Sequence, residues 1–343
     1  MVVAAAAFVV AATLNAGGYR YGAADQAFYI PAVLHQLDPS LFPRDWAMLG
    51  AQGRFFFVDE VFAALVRTTG LALPVWFAVA QLTTLGVLFA GAVALGRQVL
   101  TTPWALAAWL AALTLRHRIA KTGANTLEGY FHPRMLVFAL GMVALADVLR
   151  GRRRRPLLLT LASAALHPTT AALFLGIVLA ALVVSDTRRR RPMLIAGAAA
   201  AALGGAALAA GLTPFDLTPM DASWRALVAG KDYTFPTQWS LATWATNLAG
   251  VFVIVAVGWR RRRDGLLTAQ EQGLFAGCLA LVAGFALSLP FIAAGVPLAV
   301  QLQTSRVFWP VETIAILCLV WWLVDRPARA DRRAWRPRLV AAL

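Results

Sequence analysis

The stretch that decides how this chain is read opens with Arg152-Arg153-Arg154-Arg155-Pro156-Leu157-Leu158-Leu159. It runs through Ala165-Leu166-His167-Pro168-Thr169-Thr170 and closes on Arg188-Arg189-Arg190-Arg191. A membrane span needs about 20 apolar residues, at about 1.5 Å of rise each across about 30 Å of hydrocarbon. The run 156–184 is long enough by that measure. Arginine clusters, however, stay on the cytoplasmic side, and this run has one at each end. It therefore crosses twice or re-enters, and Pro168 supplies the break. Its first half, 156–167, would be about 18 Å long. Irregular backbone at membrane depth is tolerated only against protein or a wet cavity, so a cavity is expected near His167.

The same alternation extends outward in both directions. Apolar segments at 1–16, 70–96, 101–115, 134–149, 193–212, 241–259, 271–292 and 307–325, with 156–184 counted twice, predict an all-α polytopic transmembrane helix bundle of about ten helices. Arginines cluster at Arg150–Arg155, Arg188–Arg191, Arg260–Arg263 and Arg326–Arg338. Placing each cluster inside puts the N-terminus inside too, and 17–69, 116–133, 213–240 and 293–306 outside. The first segment lacks a basic n-region, which favours a retained helix over a cleaved signal peptide, although Leu14-Asn15-Ala16 offers a cleavage-like site. The end, Arg336-Pro337-Arg338-Leu339-Val340, reads as the start of a further helix cut short. Residues 1–343 are expected to form a single integral membrane domain.

Composition supports lipid as the main solvent. Hydrophobic residues make up 60% of the chain and charged residues 14%, against about a quarter charged in soluble domains. The net charge is +15, but the basic residues fall in short clusters between apolar runs. That pattern reports topology and argues against a nucleic-acid partner. Cys278 and Cys318 lie inside apolar runs and read as small core residues. There is no P-loop, GxSxG, HExxH or CxxC. No Asp-x-Asp pair appears either, so neither a metal nor another cofactor is expected.

The outer segments carry the candidate chemistry. Loop 17–69 holds Asp25-Gln26, then Asp38-Pro39-Ser40-Leu41-Phe42-Pro43-Arg44-Asp45-Trp46, then Phe55-Phe56-Phe57-Val58-Asp59-Glu60. Alternating acids, aromatics and prolines suit short helices lying at the membrane interface. They suit equally an outer active-site loop with one carboxylate as base. The second outer loop is unusually basic: Arg116, His117, Arg118 and Lys121, then Glu128-Gly129-Tyr130-Phe131-His132-Pro133-Arg134. Either the sidedness of this loop differs, or its cations hold an anion such as a lipid phosphate, with the helix start after His132 adding N–H donors. Arg306 opens the last helix. Glu312, further along it within apolar sequence, needs a partner from another helix, such as His167 or Arg134, or else a proton.

These residues, in this order, resemble the GT-C superfamily of membrane glycosyltransferases. Those enzymes use polyprenyl-phosphate-linked sugars and an aspartate in the first outer loop as base. Asp25 matches that place. Gln26 stands where family members often carry a second acid. The combination of Ala24-Asp25-Gln26, Asp38 to Asp45, Phe131-His132-Pro133-Arg134 and His167-Pro168 looks like a group of uncharacterised bacterial membrane proteins with the same layout. The resemblance covers most of the chain. It implies a bacterial plasma-membrane enzyme that performs inverting sugar transfer on the outer face, with a membrane lipid, the polyprenyl-phosphate-sugar donor, as partner. Arg134, His132, Arg306 or Lys121 would stabilise the departing lipid phosphate, with Gln26, Arg116, His167 and Glu312 as further substrate-binding candidates. A transporter or flippase built around His167 and Glu312, and a non-catalytic scaffold, are the alternatives.

Overall fold

A computed structural model describes residues 1–53, 57–213, 215 and 217–326. The expectations for Phe55-Phe56, for the arginines after Arg326 and for a helix starting near Arg336 fall outside the described residues. Within them the chain is helical. Among the described residues, the sole β-type pairing is an isolated bridge between Arg118 and Asn125. Contacts divide the described chain into two compact units. The first comprises residues 1–117, 126–175 and 323 onward, and the second 118–125 and 176–322.

Among the described residues, six helices are long and apolar enough to cross a membrane, against the ten or so expected of the chain. They are Leu73–Val99, Pro168–Ser185, Arg190–Ala209, Leu241–Arg263, Ala269–Ala293 and Pro297–Asp325. The shortfall is one of length. The helices Val2–Asn15, Pro103–Thr114, Pro133–Leu149 and Arg154–Ser163 have 14, 12, 17 and 10 residues. They extend only about 15–26 Å.

The first unit begins with α1 (Val2–Asn15). Three short helices follow from the first long loop: α2 (Gln26–Leu37), α3 (Trp46–Gly53) and α4 (Val58–Thr69). After them come α5 (Leu73–Val99), α6 (Pro103–Thr114), α7 (Pro133–Leu149), α8 (Arg154–Ser163) and the start of α9 (Pro168–Ser185). Phe62 on α4 meets Phe77 on α5 at 4.6 Å and Phe131 at 5.4 Å between ring centroids. Tyr29 and Val33 of α2 complete this buried cluster. Burying such a side chain contributes roughly 2 kcal/mol, so α2 and α4 are fastened by their apolar faces to the segment around Phe131. Asp325 is fully buried and accepts from the amides of Thr101 and Thr102, both at 2.8 Å, just before α6. The expected break is present: α8 ends at Ser163 and α9 begins at Pro168, which lacks the N–H a continuing helix needs. The amide of Phe57 donates to the carbonyl of Ala165 within this break, at 2.9 Å.

The second unit holds the rest of α9, then α10 (Arg190–Ala209), α11 (Ala222–Ala229), α12 (Leu241–Arg263), α13 (Ala269–Ala293), α14 (Pro297–Gln301) and α15 (Phe308–Val320). α13 packs on α9 through Gly273 and Gly277. A methyl group at either position would lie 2.6–2.7 Å from the carbonyl oxygen of Ala181 or Ile177, so nothing larger than hydrogen fits. Trp239, Trp244, Phe285 and Phe308 form an aromatic cluster in this unit. α10 has no buried residue.

Candidate functional site

The site is built where α2 and α7 begin, both in the first unit. Asp25 occupies the N-cap position of α2, immediately after Ala24, whose φ of +48° is in the left-handed region. A residue with a Cβ is strained there. Gln26 fixes this turn from below. Fully buried, it accepts from the Gly22 amide at 2.7 Å and donates to the Phe131 carbonyl at 2.9 Å. Its two amide functions tie the first loop to a residue 105 positions away. Gly129 makes a second tie: its carbonyl accepts from Arg20, and a Cβ on it would come within 2.6 Å of the Gly18 carbonyl.

His132 is the N-cap of α7, with Pro133 at the first helical position. Its Nδ1 accepts the Arg134 backbone N–H at 3.1 Å, which is what an N-cap side chain does. An accepting Nδ1 carries no proton, so Nε2 carries it and donates to Asp25 Oδ2 at 2.8 Å. Arg134 Nη1 approaches the same oxygen at 3.6 Å, and Arg134 Nη2 donates to Glu128 Oε1 at 2.5 Å. The exposures decide the character of the cluster. The side chains of Arg134 and Glu128 are 5% and 1% exposed, while Asp25 is 47% exposed. A buried arginine needs a buried counter-charge. Glu128 supplies it, and the accessible carboxylate of Asp25 is the group left facing outward.

Aromatic side chains enclose the imidazole. Tyr29 meets it edge-on at 5.4 Å, and Tyr130 lies at 6.1 Å. Burial, followed by the charges of Glu128 and Asp25, pushes the Tyr130 phenol up to about 12, although Arg134 and the Asp25 backbone pull the other way. Tyr130 is therefore a neutral hydrogen-bonding group at ordinary pH. The His167 ring stands 5.9 Å from that of His132. Its Nδ1 accepts from the Thr170 amide at 3.3 Å just inside α9. Two His-Pro helix starts thus present their rings to one another.

Beside this cluster lies an apolar groove of about 230 Å³. Val58 and Phe62 of α4, Trp76 of α5 and Leu136 of α7 line it, and it reaches Phe131, Pro133 and Leu166, the chain neighbours of His132 and His167.

The remaining candidates are distributed differently. Arg116 is exposed and donates through Nε to the Leu127 carbonyl at 3.2 Å, so it clasps its own loop. Lys121, Arg306 and Glu312 belong to the second unit. Glu312 lies where α12 comes close to α15, with a Cβ on Gly250 only 3.6 Å from its Cα. Arg134 is engaged by Glu128 and Asp25. Glu128, Tyr29 and Tyr130 were not singled out from the sequence as site residues. A buried Arg134 was itself the signal that an acid lay nearby, and Glu128 stood six residues before it. Among the described residues, no group of three or more His, Cys, Asp or Glu side chains is placed to hold a metal ion. Comparison with family models, with curated proteins and with solved structures finds no match to the chain.

Proposed function

We propose that the chain is a multi-pass plasma-membrane glycosyltransferase of GT-C type, bacterial in kind. It would move a sugar from a polyprenyl-phosphate carrier to an acceptor hydroxyl on the extracytoplasmic face. The observation that carries this reading is the accessible Asp25 carboxylate, held by His132 and Arg134 beside a groove lined almost entirely by apolar side chains. A hydroxyl-activating base and a slot for hydrocarbon are the two things that a lipid-linked sugar donor requires in one place.

In this reading Asp25 takes the proton of the acceptor hydroxyl as its oxygen bonds to the anomeric carbon. The bond from that carbon to the phosphate oxygen breaks, its electron pair leaves with the lipid phosphate, and the configuration inverts. His132, donating through Nε2, fixes the Asp25 carboxylate. Arg134 offsets negative charge as it builds on the leaving phosphate. The isoprenoid chain occupies the groove against Phe62, Trp76 and Leu136. The arginine clusters face the cytoplasm and loop 17–69 faces outward.

The test is sugar transfer by the purified protein in lipid nanodiscs, supplied with a polyprenyl-phosphate hexose. Asp25→Asn is expected to lower the rate about 10²- to 10⁴-fold while the protein stays folded. A rate equal to that of the wild type removes Asp25 as the base. Mass spectrometry of co-purifying lipids is expected to find isoprenoid phosphates, depleted by Leu136→Trp, which fills the groove.

A further inference from the structure

The turn from α7 into α8 reads Arg150-Gly151-Arg152-Arg153-Arg154-Arg155, five arginines in six residues. It lies within the first unit and plays no part in the reading above. At its centre is Asp147, in the last turn of α7 and fully buried. Asp147 Oδ1 accepts from Arg150 Nη1 at 3.2 Å and from Arg152 Nη1 at 2.8 Å. Arg155 Nε stands 3.1 Å from Oδ2. The three arginine side chains are 33%, 47% and 61% exposed, against 0% for the aspartate. One buried carboxylate thus gathers three guanidinium groups through one nitrogen of each. A guanidinium has five N–H donors, so further donors remain on all three. Three positive charges against one negative leave an excess of two, and exposed Arg154 stands beside them. The carbonyls at the end of α7 do not offset that excess. Those of Ala146, Asp147 and Val148 already accept from the amides of Arg150, Arg152 and Gly151. α8 then starts at Arg154 with no side-chain cap, so its positive end faces the same turn.

α8 has two distinct faces. Pro156, Thr160 and Ser163 are buried, spaced by four and then three residues. They mark the inner face of a helix that packs on α7. Arg154, Leu158 and Leu161 repeat that spacing on the outer face, where the two leucines are 66% and 54% exposed. This face is cationic at its first residue and apolar beyond it. The strip from Arg154 to Leu161 is about 10 Å long, shorter than one hydrocarbon leaflet at about 15 Å. Other arginine clusters are used differently. Arg260 pairs with Asp264, Arg261 is buried against Glu271, and Arg263 lies over the Trp259 ring. Arg190 donates to the Val183 and Val184 carbonyls at the end of α9.

We infer that this surface binds one anionic phospholipid. Its phosphodiester would lie on the guanidinium groups of Arg152, Arg154 and Arg155, and an acyl chain along Leu158 and Leu161. Guanidinium forks match phosphate oxygens, and the excess positive charge suits a headgroup with no cation of its own. A zwitterionic headgroup would bring an ammonium against the same arginines. The site requires a membrane around the chain, which the six long apolar helices among the described residues suit. It is independent of sugar transfer. The test is native mass spectrometry of the full chain in detergent, titrated with three probes: dioleoyl phosphatidylglycerol, dioleoyl phosphatidylethanolamine and soluble glycerophosphoglycerol. Phosphatidylglycerol is expected to bind saturably and about tenfold tighter than either of the others. Arg154→Gln/Arg155→Gln leaves Asp147 bonded to Arg150 and Arg152, and is expected to weaken that binding about tenfold. Arg260→Gln/Arg263→Gln removes the same charge elsewhere and is expected to leave it unchanged. Equal binding of phosphatidylethanolamine, equal binding of glycerophosphoglycerol, or unchanged binding in the Arg154 and Arg155 variant would each overturn the inference. So would an equal loss in the Arg260 and Arg263 variant, which would reduce the effect to net charge.

Discussion

Two buried arginine–glutamate pairs among the described residues look alike up close. Arg134 and Glu128 in the first unit, and Arg261 and Glu271 in the second, each meet at 2.5 Å with side chains no more than 5% exposed. Their surroundings differ. Arg134 shares its charge with the accessible Asp25, and its backbone N–H donates to His132 Nδ1. Arg261 is covered by the Trp321 ring, 4.6 Å from its carbon, and Glu271 closes a capping box with Thr268 at the start of α13. The two cysteines are both fully enclosed in this unit. Two of the Arg261 nitrogens, Nε and Nη1, meet no acceptor. The same pair of charges thus serves as a structural tie between α12 and α13 in one unit and as the support of an accessible carboxylate in the other. What separates the two is the neighbour of the arginine: a sealed indole, or a carboxylate facing outward.

Substitutions at four positions test that distinction. Arg261→Ala strands Glu271 in the interior, and losing one member of a buried pair costs about 3–5 kcal/mol. A large drop in thermal midpoint is expected, with the proposed sugar transfer unchanged per folded molecule. A transfer defect beyond the loss of folded protein would break the contrast. Glu128→Gln keeps the shape but removes the counter-charge of Arg134, at a cost of about 2–4 kcal/mol. It also removes one of the charges that push the Tyr130 phenol up to about 12. In an ultraviolet titration this phenol should ionise at lower pH in the variant. The sign for stability follows. A tyrosine held neutral in the folded state lags behind its unfolded form, which ionises near pH 10. Its contribution is therefore complete below about pH 10 and fades as the pH climbs toward about 12. In Glu128→Gln that loss should be smaller.

Gln26→Ala unties the Asp25 turn from Phe131 and leaves the buried Phe131 carbonyl without its partner, for about 1–3 kcal/mol. Because the tie positions Asp25, transfer should fall more than stability does. Gln26→Glu, which restores the acid often found in the resembling family, separates the two roles: it keeps the acceptor for Gly22 but loses the donor to Phe131. The smallest effect is expected for Ala24→Gly, which relieves the left-handed strain at the cost of a more flexible unfolded chain. A net change within about 1 kcal/mol should appear in chemical denaturation, with looser control of Asp25.

Much of the helix pattern was legible in the sequence because it depends on short-range physics. Apolar runs mark helices, Pro168 cannot continue one, and the break between Ser163 and Pro168 follows from both. Helix length was less legible. Hydropathy shows where lipid is tolerated but not where the backbone turns, so α1 and α6 look like spans in composition and fall short in extent. Asp25, His132, Arg134 and His167 stood out by residue type and by their His-Pro settings. Their meeting did not, since Asp25 and His132 lie 107 residues apart.

Local sequence therefore determined the apolar helices, the interruption at His167-Pro168 and the kinds of groups available for chemistry, because each follows from neighbours along the chain. Tertiary structure alone decided which acid neutralises Arg134, which imidazole nitrogen faces Asp25, that Gln26 is a buried tie, and that Lys121 belongs to the second unit. Those outcomes depend on how helices distant in sequence pack, and on which charges the packing leaves without water.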